Sequence, residues 1–403
     1  MGCPGKLVYV QFKRLWLTRL AAARPASCHH HTAALLLLRL LLLAPTAAGL
    51  KPVMDAAEAL SLAKRACPQF ASAGLAPLDP SSITKVETRS VARLWAGMGS
   101  VVELRVKAGE DTAATIMAKK VTLPKRCASI GDRRKKASYE VECNFYEKYA
   151  AEVAAAGCAC PRPLLVERRG TEGVTIVMTK LVGSSAPMDG ARSRRVLSGL
   201  AKLHALFWGA EADAAVAGGL AAQGEYWYLD TRPDEHAAMP KKGWEGRLRL
   251  AARAIDDRLK SDSSQTIVHG DAKSANIIFA ADGEPLFYDF QYVGKACCAK
   301  DLAYCLCCCC DDADDEAALV AHYRAELAAA LGADAAPSRE ALDDALLLAY
   351  ADLGRWMSGW GWWGHDLESK IRVVLDRLDG GAALASEADY ATAMEKAFPI
   401  RAG

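Results

Sequence analysis

The sequence predicts an α+β chain of two lobes: a small β-rich lobe followed by a larger, mainly α-helical one. Three observations carry that reading. Strand-like alternation is concentrated at residues 89–121, where Val102, Leu104 and Val106 alternate with Glu103, Arg105 and Lys107. Helical periodicity dominates beyond residue 183. One strand-rich interruption, near residue 270, breaks the helical half. With 403 residues and 52% hydrophobic content, the chain can bury the core this architecture needs.

Residues 1–50 stand apart from both lobes. No Asp or Glu precedes Asp55, while Lys6, Lys13, Arg14, Arg19 and Arg24 supply scattered positive charge. A Leu-rich run, AALLLLRLLLLAPTAAGL, ends in small residues around Ala47 and Ala48. That composition is expected of a targeting segment, of plastid type, or else of a start codon placed too far upstream. Arg39 within the run costs roughly 2.5–3.5 kcal/mol at the centre of a membrane helix, so no stable membrane span is expected. His29, His30 and His31 fall in this segment and are not read as a metal site. The 14 cysteines lack the spacing of a disulfide framework, since Cys307 to Cys310 are contiguous and Cys297 adjoins Cys298. The expected location is a reducing compartment, an organelle or the cytoplasm, rather than the secretory route. A net charge of +2 gives no field that would draw nucleic acid, and no such partner is expected.

The β-rich lobe is assigned to residues 51–180. MDAAEALSLAKRA reads as a short helix. Three antiparallel strands follow, with turn residues at AGMG and AGED. RRKKASYEVECNFYEKYAAEVAAAG is helical, with Val141, Phe145 and Tyr149 on one face, and Gly157 and Pro161 end it. GVTIVMTKLVG is a further strand. In the helical lobe, residues 181–403, Val196, Leu200, Leu203 and Phe207 mark the apolar stripe of an amphipathic helix.

The interruption, TIVHGDAKSANIIFAADGEPLFYDFQ, is where chemistry concentrates. NIIFA and PLFYDF flank Asp282-Gly283, a strong hairpin signal. With a two-residue turn there, Asn276 and Asp289 lie equally far from it and face each other across the strands. Two oxygen ligands at the open end of a hairpin suit a hard cation such as Mg2+. Asp271, on the loop leading in, is placed to accept a hydroxyl proton. An acidic base, an amide and carboxylate for metal, and a phosphate cradle elsewhere are the parts of phosphoryl transfer. The cradle candidates are the glycine turn, Gly97, Gly99 and Ser100, and Lys119 near the end of the third strand. Glu142 on the following helix is the first choice of ion-pair partner for Lys119, Glu140 the second. Lys119 and Lys120 alternate faces, so only one of them can point at a nucleotide.

HGDAKSANIIF, YDFQ and KDLAY resemble the aminoglycoside phosphotransferase and choline kinase superfamily, the small-molecule branch of the protein-kinase-like fold. More narrowly, DFQ, LAKLHALFWG and EYWYLDTRPDE resemble the ecdysteroid-kinase-like, or CHK kinase-like, family. The resemblance runs from about residue 90 to about 365. It implies a two-lobed protein-kinase-like fold, ATP and Mg2+ as cofactors, and a kinase acting on a small molecule. It implies Asp271 as catalytic base, Asn276 and Asp289 as metal ligands, and Lys119 with Glu142 as the phosphate-anchoring pair. It also implies adenine held near Met178, Thr179, Lys180 and Leu181, and Asp301 bonding the catalytic loop from below. His269 is read as holding that loop by hydrogen bonds, and His204 as a satisfied packing residue.

Two departures bear on the acceptor. Gly270 stands where protein kinases carry an Arg in His-Arg-Asp, and only eleven residues separate Asp289 from Asp301, with no Ala-Pro-Glu. Both argue for a small hydroxylated acceptor over a peptide. The alternative is a catalytically silent nucleotide- or metabolite-binding protein of the same fold. Trp356, Trp360, Trp362 and Trp363 in GRWMSGWGWWG either pack between C-terminal helices or line an acceptor pocket. Cys305 and Cys308 have the spacing of half a zinc site, yet no second pair follows, and buried cysteine behaves as a small hydrophobe. The cysteine run is therefore read as helix packing, and the acids Asp311 to Glu316 as a helix junction.

Overall fold

The computed structural model describes residues 54–94, 97–123, 129–310 and 315–400. The expected targeting segment and its three histidines, Trp95 and Ala96 of the glycine turn, and Asp311 to Asp314 lie outside these residues.

The first lobe is built on helix α1 (Ala56–Ala66) and strands β1 (Ile83–Arg93), β2 (Gly99–Ala108) and β3 (Asp111–Thr122). Asp55 caps α1 by accepting from the Glu58 N–H at 2.8 Å. The strands form the expected antiparallel meander. In register, Val102, Leu104 and Val106 stand opposite Ala118, Ile116 and Ala114, and this face closes over Leu62 and Ala66 of α1 in one apolar cluster. Each of these large side chains, once buried, contributes about 1.5–3 kcal/mol. The other face carries Val101, Met117 and Lys119 and looks toward the second lobe.

Helix α2 (Ile130–Lys148) starts from a reciprocal capping box between Ser129 and Asp132. It breaks at Tyr149, whose hydroxyl donates to Ala215 O, and continues as α3 (Ala150–Ala155). The single helix expected over 133–157 is thus two. Its buried stripe runs through Tyr139, Glu142, Cys143 and Tyr146, while Val141 and Tyr149 are only half-buried. Strands β4 (Pro163–Arg168) and β5 (Gly173–Thr179) complete a five-stranded sheet of order β1-β2-β3-β5-β4. β4 gave no strand signal because prolines begin it, which only an edge strand tolerates.

The second lobe opens with α4 (Gly190–Leu206), α5 (Ala210–Ala217), α6 (Pro233–Ala238) and α7 (Gly243–Lys260). Then come the short strands β6 (Gln265–Val268), β7 (Ile277–Phe279), β8 (Pro285–Phe287) and β9 (Gly294–Cys297). Helices α8 (Ala299–Cys308), α9 (Glu316–Leu331), α10 (Arg339–Trp360), α11 (Glu368–Asp379) and α12 (Glu387–Ala397) finish the chain. An antiparallel β lobe joined to a helical lobe is the α+β architecture the sequence predicts. No helix among the described residues is long and apolar enough to cross a membrane.

The β7–β8 hairpin corrects one expectation. Ile277 pairs with Phe287, Ile278 with Leu286 and Phe279 with Pro285. The loop is closed by Ala280 N–H to Glu284 O, with Gly283 left-handed at φ +86°. This is a three-residue loop rather than a two-residue turn, and it moves the register by one. Asn276 therefore stands opposite Tyr288, whose N–H it accepts at 3.1 Å, and Asp289 lies one residue beyond.

The cysteine run ends α8 and passes just beyond it, with Cys305, Cys307 and Cys310 buried in the main core. Among the described residues no group of three or more Cys, His, Asp or Glu is arranged to hold a metal ion. Asp315 caps α9 by accepting from the Ala318 N–H.

Candidate active site

The loop between β6 and β7 positions Asp271, and its shape is set from beneath. Asp301, in the first turn of α8, accepts from the backbone N–H groups of His269 at 2.6 Å and Gly270 at 2.9 Å. His204 joins the same carboxylate at 3.3 Å through Nε2 and meets Tyr323 through Nδ1. Burial would raise Asp301, but His204, His269 and the Gly270 N–H outweigh it and hold it low. His269 is fully buried, so it is shifted toward the neutral form, and its Nδ1 accepts the Asp271 N–H. Gly270 has φ +79°, and a Cβ there would come within 2.1 Å of Tyr292 O and 2.8 Å of Glu225 N. No arginine could take this place, which is the physical content of the departure from His-Arg-Asp.

Three donors converge on the Asp271 side chain. Asn276 Nδ2 and Lys273 Nζ each stand 2.9 Å from Oδ2, and Tyr304 OH is 3.2 Å from Oδ1. Burial raises the Asp271 carboxyl above the usual aspartate range, with Lys273 opposing it. Because Asn276 spends its Nδ2 on Asp271, its Oδ1 is the atom left to accept or to ligate.

Asp289 meets the first lobe. Lys119 Nζ lies 2.7 Å from Asp289 Oδ1 and 2.7 Å from Glu142 Oε2, joining β3, α2 and the hairpin. One buried cation thus serves two carboxylates. Burial would lower Lys119, yet Asp289 and Glu142 more than offset it and keep it charged. Burial would raise Asp289 too, and Lys119 reverses that, whereas Glu142 is pushed by burial up to about 7. Lys120 points the other way, to Glu58 on α1, so Lys119 is the member of the pair in the cleft. Glu140 bonds Arg168 and takes no part.

Asp289 and Glu225 are the non-glycine residues at positive φ among those described, +67° and +70°, and both border this cleft. The backbone after Asp289 is held by packing: Phe290 stacks on Phe145 at 4.0 Å, and Gln291 donates to Ser138 on α2 at 2.8 Å. Gln291 thereby ties the metal-candidate aspartate to the helix that carries Glu142.

The other expected contacts fare unevenly. Gly97 turns at φ +70° with its N–H on Leu94 O, and Gly99 is pressed against Lys120, leaving 2.0 Å for a Cβ from Lys120 O. Ser100 faces with Lys120, away from Lys119, and its buried hydroxyl has no partner; its side chain cannot reach a phosphate beside Lys119. Met178 is buried opposite Met117, on the cleft face. Thr179 donates its N–H to Arg162 O and accepts Arg162 N–H through Oγ1. Lys180 reaches across to Glu103 of β2 at 2.8 Å. Leu181 follows it, half-buried and outside β5.

Sequence reasoning missed Lys273, Tyr304 and Tyr226. Tyr304 carried a signal, since it lies three residues after Asp301 on one helix and so shares its face. The tryptophans divide. Trp356 is buried and stacks on Trp227, while Trp360 and Trp362 are 58% and 45% exposed.

With this geometry, the comparison with known families is decisive at one level. The model of the Phosphotransferase enzyme family matches residues 129–343, more than half of the chain. The chain belongs to this family. The match includes Glu142, Asp271, Asn276, Asp289 and Asp301, and begins after β3, so Lys119 precedes it. No curated protein matches the sequence. Among solved structures, this phosphotransferase is similar to an ethanolamine kinase of Plasmodium vivax, with 13% identity, 88% of this chain and 95% of that one covered, and a TM-score of 0.43. It is also similar to an amicoumacin kinase in complex with AMP-PNP, Ca2+ and Ami (13%, 82% and 92%, 0.44). A macrolide 2'-phosphotransferase from Brachybacterium faecium gives 17%, 78% and 97%, and 0.41.

Proposed function

We propose that this phosphotransferase is an ATP-dependent kinase of the ecdysteroid-kinase-like branch, which moves the γ-phosphoryl group to a hydroxyl of a small metabolite. The observation that carries the reading is the Asp271 carboxylate, buried and hydrogen-bonded by Asn276, Lys273 and Tyr304 beside the Lys119–Glu142–Asp289 bridge. The acceptor oxygen bonds to the γ-phosphorus, the bond from that phosphorus to ADP breaks, and the hydroxyl proton passes to Asp271. Lys119 and Lys273 supply positive charge where phosphate oxygens collect. Asn276 Oδ1 and Asp289 Oδ2 are the two protein oxygens not committed to these contacts. That donor set fits Mg2+, which takes its remaining ligands from phosphate and water. Mg2+ there would neutralise charge on the phosphates. The short path from Asp289 through β9 into α8 supports a small acceptor, since it leaves no long segment for a peptide to dock on.

The deciding experiment incubates residues 51–403 and the full chain with Mg-ATP and a broad panel of hydroxylated metabolites, with products read by mass. A phosphorylated metabolite supports the reading. Bound Mg-ATP with no product from any compound would leave a silent nucleotide-binding protein instead.

Lys119→Ala is expected to raise the KM for ATP about 10–100-fold, the loss of a charge-assisted phosphate contact of about 1.5–3 kcal/mol. Lys120→Ala, on the outer face, is expected to leave that KM within about twofold. Equal effects from the two, measured by initial rates, would contradict the assignment of Lys119 to the cleft.

The pH profile has a defined sign. Asp271 must be ionised to accept the proton, and its pKa lies above the ordinary aspartate value, so kcat/KM falls as pH drops through that raised value. Lys273→Met removes the cation that opposes the rise, so the acid limb moves to higher pH. A limb that stays in place would assign it to another group, such as Glu142.

A further inference from the structure

We propose that the acceptor is recognised through an anionic group, a carboxylate or phosphate, received by Arg134 and Arg232 while its hydroxyl is presented to Asp271. The inference rests on the reading of Asp271 as the base. Its evidence lies in a cluster of cations that the transfer chemistry does not use.

Arg133, Arg134, Lys135 and Lys136 fall in the first two turns of α2, where the positive end of the helix disfavours cations. Among the described residues none of the four forms an ion pair. Arg134 Nη1 donates to carbonyl oxygens alone, Tyr226 O at 3.2 Å and Thr231 O at 3.4 Å, and its buried Nε has no partner. Arg232 Nε donates to the same Tyr226 oxygen at 2.9 Å. Two guanidinium groups therefore stand side by side, and among the described residues the one carboxylate bonded to either is Glu235, 2.8 Å from Arg232 Nη1. Burial and then the charge of Arg232 both lower the Arg134 pKa. An anion received between the two forks would relieve that repulsion and find planar donors matched to its oxygens.

The pair is one ring away from the base. Tyr226 OH meets Tyr304 OH at 2.8 Å, and Tyr304 OH meets Asp271. Tyr226 also packs on Tyr292 at 4.9 Å. Burial pushes the Tyr292 phenol up to about 12, with Arg134 opposing the rise and Asp271 and Asp289 adding to it. The same rings exclude the opposite kind of ligand. The Arg232 guanidinium lies over Tyr226, Trp356 and Trp360 at 5.3, 5.1 and 5.8 Å. An aromatic cage that would attract a quaternary ammonium group is already filled by the protein's own cation.

The test uses the full chain with Mg-ATP and matched sets of alcohols. Within a set the compounds share a hydroxyl and differ in one terminal group: carboxylate, phosphate, carboxamide or trimethylammonium. The expected result is a kcat/KM at least about tenfold higher for the carboxylate or phosphate member than for the carboxamide. Arg134→Gln should raise the KM of the anionic member at least about tenfold, with the KM for ATP unchanged, and Arg134→Lys should recover part of the loss. Turnover that is blind to charge, or that favours trimethylammonium, overturns this proposal and leaves the kinase reading standing. An unchanged acceptor KM in Arg134→Gln overturns it as well. If no member of any set is phosphorylated although Mg-ATP binds, the transfer reading fails and this proposal falls with it.

Discussion

Asp271→Asn is expected to lower kcat about 10²–10⁴-fold, the contribution typical of a positioned general base, while the affinity for Mg-ATP stays within a few-fold. The substitution suits the site. An Asn side chain can direct its oxygen to Asn276 and Lys273, which both donate to Oδ2. Its amide nitrogen then faces the Tyr304 hydroxyl, which can accept. No buried polar atom is stranded, and a buried carboxylate whose pKa is raised by desolvation gives way to a neutral group. Folding stability should therefore hold, and what disappears is the ability to take a proton. The nucleotide contacts attributed to Lys119, Asn276 and Asp289 do not pass through Asp271 itself. Initial rates, ATP titration and a melting curve on the same preparation separate the terms. An unchanged kcat would eliminate Asp271 as the base, and a collapsed melting temperature would make it a structural residue.

The order of the parts along the chain was legible because each is a local signal. Alternation placed β2, the Asp-Gly pair placed the hairpin, and period-two geometry allowed only one of Lys119 and Lys120 into the cleft. Alternation fixes which residues share a face, yet not which partner that face meets. Thus Lys120 could be set aside only once α1 brought Glu58 to it. The hairpin register slipped by one because a third loop residue leaves no trace in the hydrophobic pattern. The Thr179 N–H and hydroxyl looked available until Arg162, seventeen residues earlier in the chain, took them. The acceptor side was least legible of all. Arg134, Tyr226, Arg232, Tyr304 and Trp356 come from α2, a loop, the start of α6, α8 and α10, and only tertiary packing brings them together.

Lys300→Met should be the most damaging change outside the cleft, costing about 3–5 kcal/mol of a total stability of about 5–15 kcal/mol. Lys300 Nζ stands 2.8 Å from Glu225 Oε2, 3.1 Å from Asp352 Oδ2 and 4.4 Å from the centre of the Trp227 ring, and all of these groups are buried. Asp352 keeps a second cation, Arg355, at 2.7 Å. Glu225 has no such reserve, because neither of its oxygens makes a hydrogen bond beyond this ion pair. Removing Lys300 leaves a buried carboxylate with nothing to face, and that desolvation cost, not the lost attraction, dominates the damage. It follows that Glu225→Gln should rescue the variant: the double substitution Glu225→Gln, Lys300→Met should recover more than half of the loss in urea unfolding. Burial already raises Glu225, with Lys300 opposing it, so without the lysine the acid takes up a proton more readily. The single variant should therefore lose further stability as pH rises and the carboxylate is forced to ionise. Additive effects, with the double variant as unstable as the sum of the singles, would contradict this account. The consequence reaches catalysis through the backbone, because the Glu225 N–H bonds Tyr292 O directly above Gly270. A Glu225 segment loosened by the loss of Lys300 should lower kcat as well, and rescue of stability by Glu225→Gln should bring activity back with it.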